Sequence, residues 1–217
     1  MKRTITVTGA GEVAAKPDLA EITVTAEAAD RDYRTCVALG EAKTTALRCA
    51  LAPLGFEAED LKTREFQVFP QYEGRQENGV YTQVFTGYSC THRLTVRFPL
   101  ERERLAAVID AVTASGADAA LNIRFTVKDA AALVEEALAQ AVDSARRKAA
   151  ALCAAAGVTL GALLRMEYRQ SSPELYSPTD FAPAAGKMLA KNARLEMDVH
   201  PEDVSFTESA TLIWAIE

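Results

Sequence analysis

Apolar and polar residues alternate with period two over several stretches of the chain and recur with helical period over three others. Residues 4–8 alternate, with Ile5 and Val7 set against Thr4, Thr6 and Thr8, and predict a short strand that Gly9-Ala10-Gly11 turns. A second strand is predicted at 19–28, where Ile22, Val24 and Ala26 oppose Glu21, Thr23 and Thr25. Pro17 precedes it, a place where a missing N–H is tolerated. Asp30 and Asp32 stand where helix caps belong. Behind them Tyr33, Val37, Gly40, Thr44, Leu47, Leu51 and Leu54 recur at steps of three and four, which predicts a helix over about 31–52 closed by Gly55.

The next stretch predicts a strand at 61–72 with Phe66 and Val68 on one side, then the hairpin signal Asn78-Gly79. The returning strand, Val80 to Phe98, ends in a clean alternation of Tyr88, Cys90, His92, Leu94, Val96 and Phe98 against Ser89, Thr91, Arg93, Thr95 and Arg97. Gly87 marks a bulge or bend within it. Leu105, Val108, Ile109 and Val112 predict one face of a short helix that Ser115-Gly116 ends, and Ala119 to Val127 predicts another strand. A long Ala-rich helix over about 130–156 follows, capped by Asp129 and closed by Gly157; its face is read as Val134, Leu138, Val142, Ala145, Ala149 and Leu152. Strands at 160–169 and 204–216 complete the chain. The order β-β-α-β-β-α-β-α-β-β predicts an α+β fold, a mostly antiparallel sheet with helices layered on it.

No linker divides the pattern, so one domain over 1–217 is expected. Residues 171–203 break the periodicity and carry Pro173, Pro178, Pro183 and Pro201. A connection of that length inside a compact domain is uncommon. It fits a mobile excursion, a subunit-contact arm using Leu175, Tyr176, Phe181, Met188 and Leu189, or a lid.

Composition acts mainly by exclusion. The 217 residues are 49% hydrophobic and 25% charged, which fits a globular protein and excludes wholesale disorder. No apolar run reaches the length of a membrane-spanning helix. The net charge of −6 argues against nucleic acid and against an anionic membrane surface as partners.

Candidate chemistry is sparse. Gly9-Ala10-Gly11-Glu12-Val13-Ala14 fits a dinucleotide fingerprint, but that chemistry needs a helix starting at the glycines, and Lys16-Pro17-Asp18 and a strand follow instead. A turn between strands is the expectation. Cys36, Cys49, Cys90 and Cys153 show no paired metal-ligand spacing, and the only histidines are His92 and His200. Cys36 and Cys49 lie roughly 20 Å apart along one helix, beyond the reach of a disulfide. Free, mostly buried thiols are expected, with a redox-responsive cysteine as the alternative that exposure decides. Cys90 and His92 share an apolar strand face, which favours a core thiol and a satisfied histidine over a catalytic pair. His200-Pro201-Glu202-Asp203 reads as a turn rather than a metal site, and Arg146-Arg147-Lys148 as a solvated helix face. No metal or cofactor is expected.

Read together, these segments resemble the SIMPL-domain family over essentially the whole chain. The opening Ile5-Thr6-Val7-Thr8-Gly9-Ala10-Gly11-Glu12-Val13 with Lys16-Pro17-Asp18-Leu19-Ala20 carries the family's start. Leu54-Gly55-Phe56, Asp60-Leu61-Lys62-Thr63, Gln71-Tyr72, Gly87-Tyr88, Arg147-Lys148-Ala149 and Ala156-Gly157-Val158-Thr159-Leu160-Gly161 follow in the family's order. Pro201-Glu202-Asp203-Val204 resembles its ending, with Glu202 where glycine is usual. The resemblance implies no established enzyme activity and no catalytic residues. It implies links to envelope or oxidative-stress phenotypes and, in some members, large ring- or barrel-like homo-oligomers. Many members carry a signal peptide. Here Lys2-Arg3 leads into alternation rather than an apolar run, so a cytoplasmic protein is expected, or a periplasmic one if a leader was removed. The expected function is a non-enzymatic, self-associating assembly or binding module with a stress-protection role, its partner a second copy or another protein. The alternative is a small-ligand or redox-responsive binding protein using a pocket between helix and sheet or a free cysteine.

Overall fold

Alternating and helical segments take the expected order in the computed structural model, which describes residues 3–77, 80–169, 175–179 and 199–217. The strands are β1 (Thr4–Ala15), β2 (Leu19–Asp30), β3 (Lys62–Glu77), β4 (Val80–Pro99), β5 (Ala120–Thr126), β6 (Leu160–Glu167) and β7 (Val204–Ile216). The helices are α1 (Tyr33–Leu51), α2 (Arg102–Ala114) and α3 (Ala130–Ala156). The α+β class holds, but the strands form two sheets, ordered β1-β7-β6 and β3-β4-β2-β5. The chain divides into two compact units accordingly. Asn78 and Gly79, the expected hairpin turn, lie outside the described residues; Glu77 and Val80 on either side are paired.

The first unit takes Met1–Asp18, Thr126–Pro178 and Pro201–Glu217. β1 pairs with β7 along its whole length, from Thr4 opposite Ala215 to Ala15 opposite Val204. Gly9-Ala10-Gly11 therefore makes no turn: it sits mid-strand, and the chain bends only after Ala15. The glycines serve packing instead. A β-carbon on Gly9 would collide with the Ala141 carbonyl and one on Gly11 with that of Ala137. This closeness turns the expected face of α3 slightly: Ala145 and Ala149 are buried as expected, and Val134, Leu138 and Val142 pack at its flank. Its buried residues are Ala137, Ala141, Ala145, Ala149 and Cys153, while Leu152 is exposed. A stripe of methyl groups lets the helix backbone approach β1 as leucines would not. Asp129 caps α3 by accepting the Ala132 N–H at 3.0 Å, and Gly157 closes it in the left-handed region, φ 68°. Val7, Ala210, Leu212 and Trp214 complete this core.

The second unit takes Leu19–Phe125 and Thr179–His200. β4 lies between β2 and β3, and both pairings are antiparallel. α1 and α2 supply the helical side of a core that includes Ile22, Val24, Leu47, Leu51, Leu94, Val96, Phe98, Leu105, Val108, Ile109, Ile123 and Phe125. Burying each of the larger aliphatic side chains contributes about 1.5–3 kcal/mol. All four expected residues of α2 are buried. In α1 the expected face is turned slightly: Cys36, Gly40, Thr44, Leu47 and Leu51 point inward, and Tyr33 is half exposed. Asp32 caps α1 through the Thr35 N–H at 2.9 Å, and that bond holds its carboxyl below the usual range. A short 3-10 turn, Ala52–Leu54, separates α1 from Gly55.

Candidate functional site

One face of β4 runs from covered to bare. Phe98, Val96, Leu94 and Cys90 on it are buried beneath the helices. β2 ends its pairing at Asp30 opposite Tyr88. Beyond that point β4 pairs with β3 alone, as a two-stranded hairpin. A bulge marks the change: Gln71 opposes Gly87, Tyr72 opposes Phe85, and Thr86 is extra. Gly87 adopts φ 150°, and a β-carbon there would press on the Asp30 carbonyl at 2.7 Å. The bend expected at Gly87 is therefore present, and only glycine suits it.

Past the bulge the same face carries exposed rings. Tyr72 is 56% exposed and Tyr81 75%. Tyr33, Tyr88, Phe85 and Tyr72 form a chain of edge-to-face pairs with centroids 5.2–5.7 Å apart. Tyr81 lies across Gly74, where any β-carbon would strike its ring. Such pairs hold the rings in place while leaving their outer faces in water. β3, which carries Tyr72, is an edge strand with β4 as its only neighbour among the described residues. Phe66 and Phe69 on β3 are also about half exposed.

His92 sits at the base of this face, and both its ring nitrogens are engaged. Nδ1 lies 2.8 Å from Thr44 Oγ1 and Nε2 lies 3.1 Å from Thr63 Oγ1. The Thr44 hydroxyl donates to the Gly40 carbonyl at 3.1 Å. Its single proton being spent there, Nδ1–H donates to Thr44 and Nε2 accepts from Thr63. Phe66 meets the imidazole edge-on at 5.2 Å. Burial lowers the His92 pKa, the nearby Arg48 charge lowers it further, and Glu41 opposes. This is a satisfied, neutral histidine, as its apolar strand face implied.

The cysteines are free, with Cys36, Cys90 and Cys153 buried and Cys49 exposed. Cys36 donates its thiol to the Tyr88 carbonyl at 3.4 Å, and burial pushes the Cys90 thiol up. Neither is placed as a nucleophile. Of the expected contact residues, Leu175 is buried against Val127 and Val204, and Tyr176 bridges to Thr126. Phe181, Met188 and Leu189 lie outside the described residues. Arg146 and Arg147 pair with Asp143 at 3.2 and 2.9 Å on an exposed turn of α3. No group of metal-ligating side chains occurs among the described residues, and no described helix is long and apolar enough to cross a membrane. The hairpin surface was missed because its aromatics straddle a bulge, which breaks simple alternation. The density of Phe and Tyr from 66 to 88 was the signal available.

The fold and this surface define a class: a two-sheet α+β protein whose most distinctive feature is a bare aromatic hairpin. The chain belongs to the SIMPL family, a protein family of unknown function (DUF541), whose model matches residues 5–214. It is 28% identical over 170 residues to the 26 kDa periplasmic immunogenic protein of Brucella melitensis, an alignment covering 78% of this chain and 68% of that one. The protein of the same name from Brucella abortus matches to the same extent. A crystal structure of an uncharacterized conserved protein from Listeria innocua aligns over 96% of this chain and 92% of its own at 9% identity, with a TM-score of 0.19.

Proposed function

We propose that this SIMPL protein is a non-enzymatic binding module that associates with a second copy of itself through the outer β3–β4 hairpin. The observation that supports this is the continuation of one β4 face from buried to bare past Tyr88, with Tyr72 and Phe85 paired edge to face and Tyr81 beside them, all exposed. An aromatic surface of this kind is enriched at protein contacts. The edge of β3 offers unpaired backbone groups beside it, and a two-fold pairing of identical hairpins would satisfy both at once. The periplasmic names of the relatives support the same compartment for this chain. There, burial would protect three of its thiols and leave Cys49 open to oxidation.

Light scattering behind size exclusion tests the reading on the full chain. A fixed oligomer is expected, and a variant carrying Tyr72→Ser, Tyr81→Ser and Phe85→Ser is expected to run at the 23.4 kDa of one chain with an unchanged circular dichroism spectrum. A wild-type monomer at every concentration would overturn it. So would an oligomer untouched by these substitutions but lost on deleting residues 180–198.

A further inference from the structure

The opposite face of the four-stranded sheet holds a polar concavity of about 650 Å³, lined by Glu21, Thr23 and Thr25 of β2, Arg93 and Thr95 of β4, Arg64 and Glu65 of β3, and Asn122 and Arg124 of β5. Register brings these residues together: Thr23 opposes Thr95, Thr25 opposes Arg93, and Glu65 opposes Arg93 from the other side. The volume suits a small molecule.

Charge decides which kind. Glu21 is almost wholly buried and pairs with Arg97; Glu65 pairs with Arg93. Both carboxylates are thus neutralised, and the two arginines that neutralise them are held in place. Arg64 and Arg124 also line the concavity, Arg124 with a partner of its own within the protein, so three guanidiniums of the lining stand against two carboxylates. Arg64 makes no ion pair or hydrogen bond among the described residues. A local positive surplus in a chain of net charge −6 is a focused feature, not a general property of its surface. Thr95 supplies a second, independent sign. It is only 6% exposed, and its hydroxyl oxygen has no hydrogen-bond partner. An unsatisfied buried hydroxyl is costly, and a ligand in the concavity removes that cost.

We infer that this concavity binds a small hydroxylated organic anion, its acidic group held by Arg64 and its hydroxyls by Thr95 and the neighbouring Thr23 and Thr25. Guanidiniums recognise carboxylate and phosphate alike through paired N–H donors, so the anion is a carboxylate or a phosphate ester. The site is independent of the hairpin contact, which lies on the other face of the hairpin's sheet.

Isothermal titration of the full chain with citrate, and separately with inorganic phosphate, at about 0.15 M salt tests this. Saturable binding of either probe is expected; citrate alone identifies a carboxylate ligand, and phosphate alone a phosphate ester. Arg64→Gln is expected to weaken binding about tenfold or more, the loss of a charge-assisted pair. Thr95→Val, which keeps the shape, is expected to weaken binding without lowering thermal stability. Arg146→Gln, at an exposed position of α3 in the other unit, is expected to leave binding unchanged. Binding of neither probe would overturn the proposal, as would equal weakening by Arg64→Gln and Arg146→Gln. Should Thr95→Val fold poorly, Arg64→Gln against Arg146→Gln decides alone.

Discussion

Gly9 of β1 and Ala141 of α3 touch backbone to backbone: a single β-carbon added to Gly9 would overlap the Ala141 carbonyl oxygen. Gly9→Ala should therefore force α3 off the sheet, at about 1–3 kcal/mol or more. Ala10→Ser, one residue along on the exposed side of β1, should change stability by less than about 0.5 kcal/mol. Urea denaturation of both variants makes the comparison. Equal midpoints would mean that the helix yields freely.

Burial sorts the four thiols. Native protein should react rapidly with a thiol reagent at Cys49 alone, and Cys49→Ser should abolish the fast phase. Denaturant should release all four. Fast reaction of two or more thiols in the native state would contradict the buried positions of Cys36, Cys90 and Cys153.

His92 makes stability depend on pH. Its folded pKa lies below the ordinary 6.5 because burial and Arg48 disfavour the cation, with Glu41 opposing. The unfolded chain then binds the proton more readily, so this contribution is complete above pH 6.5 and is lost as pH falls below it. Replacing His92 with Gln should flatten the urea midpoint on the acid side of 6.5. An unchanged slope would assign the dependence to carboxylates.

Gly87 bends β4 where the hairpin leaves the rest of its sheet. Gly87→Ala adds strain at φ 150° and a clash with Asp30, so a loss of about 1–3 kcal/mol is expected. Gly74→Ala lies further out and meets only the Tyr81 ring, a side chain free to swing away. It should cost less by the same denaturation measurement.

Some of this was written plainly in the chain. The spacing of Leu105, Val108, Ile109 and Val112 gave the buried side of α2 without error, because large residues there meet large partners. The same logic set the face of α3 slightly off centre, with Ala145 and Ala149 rightly inside and Leu152 wrongly so. Leu138 and Val142 do pack at the flank of the core, but its centre is an alanine stripe whose partner is a pair of glycines over a hundred residues away. Size-based reading sees the missing bulk on neither side. Thr23, Thr95 and Arg93 were legible as the outward residues of their strands, yet four strands had to be set in register before they became a cavity.

The full-length ladder between β1 and β7 fixes an order of events during synthesis. β1 leaves the ribosome before every other strand described, but its partner begins only at Val204. Until then β1 is a strand without a sheet, and β6 lacks its neighbour as well. All four strands of the other sheet lie between Leu19 and Thr126, so they can pair while translation continues. The nascent chain thus carries β1 unmatched while every strand of the other sheet is made, a stretch open meanwhile to chaperones or premature pairing.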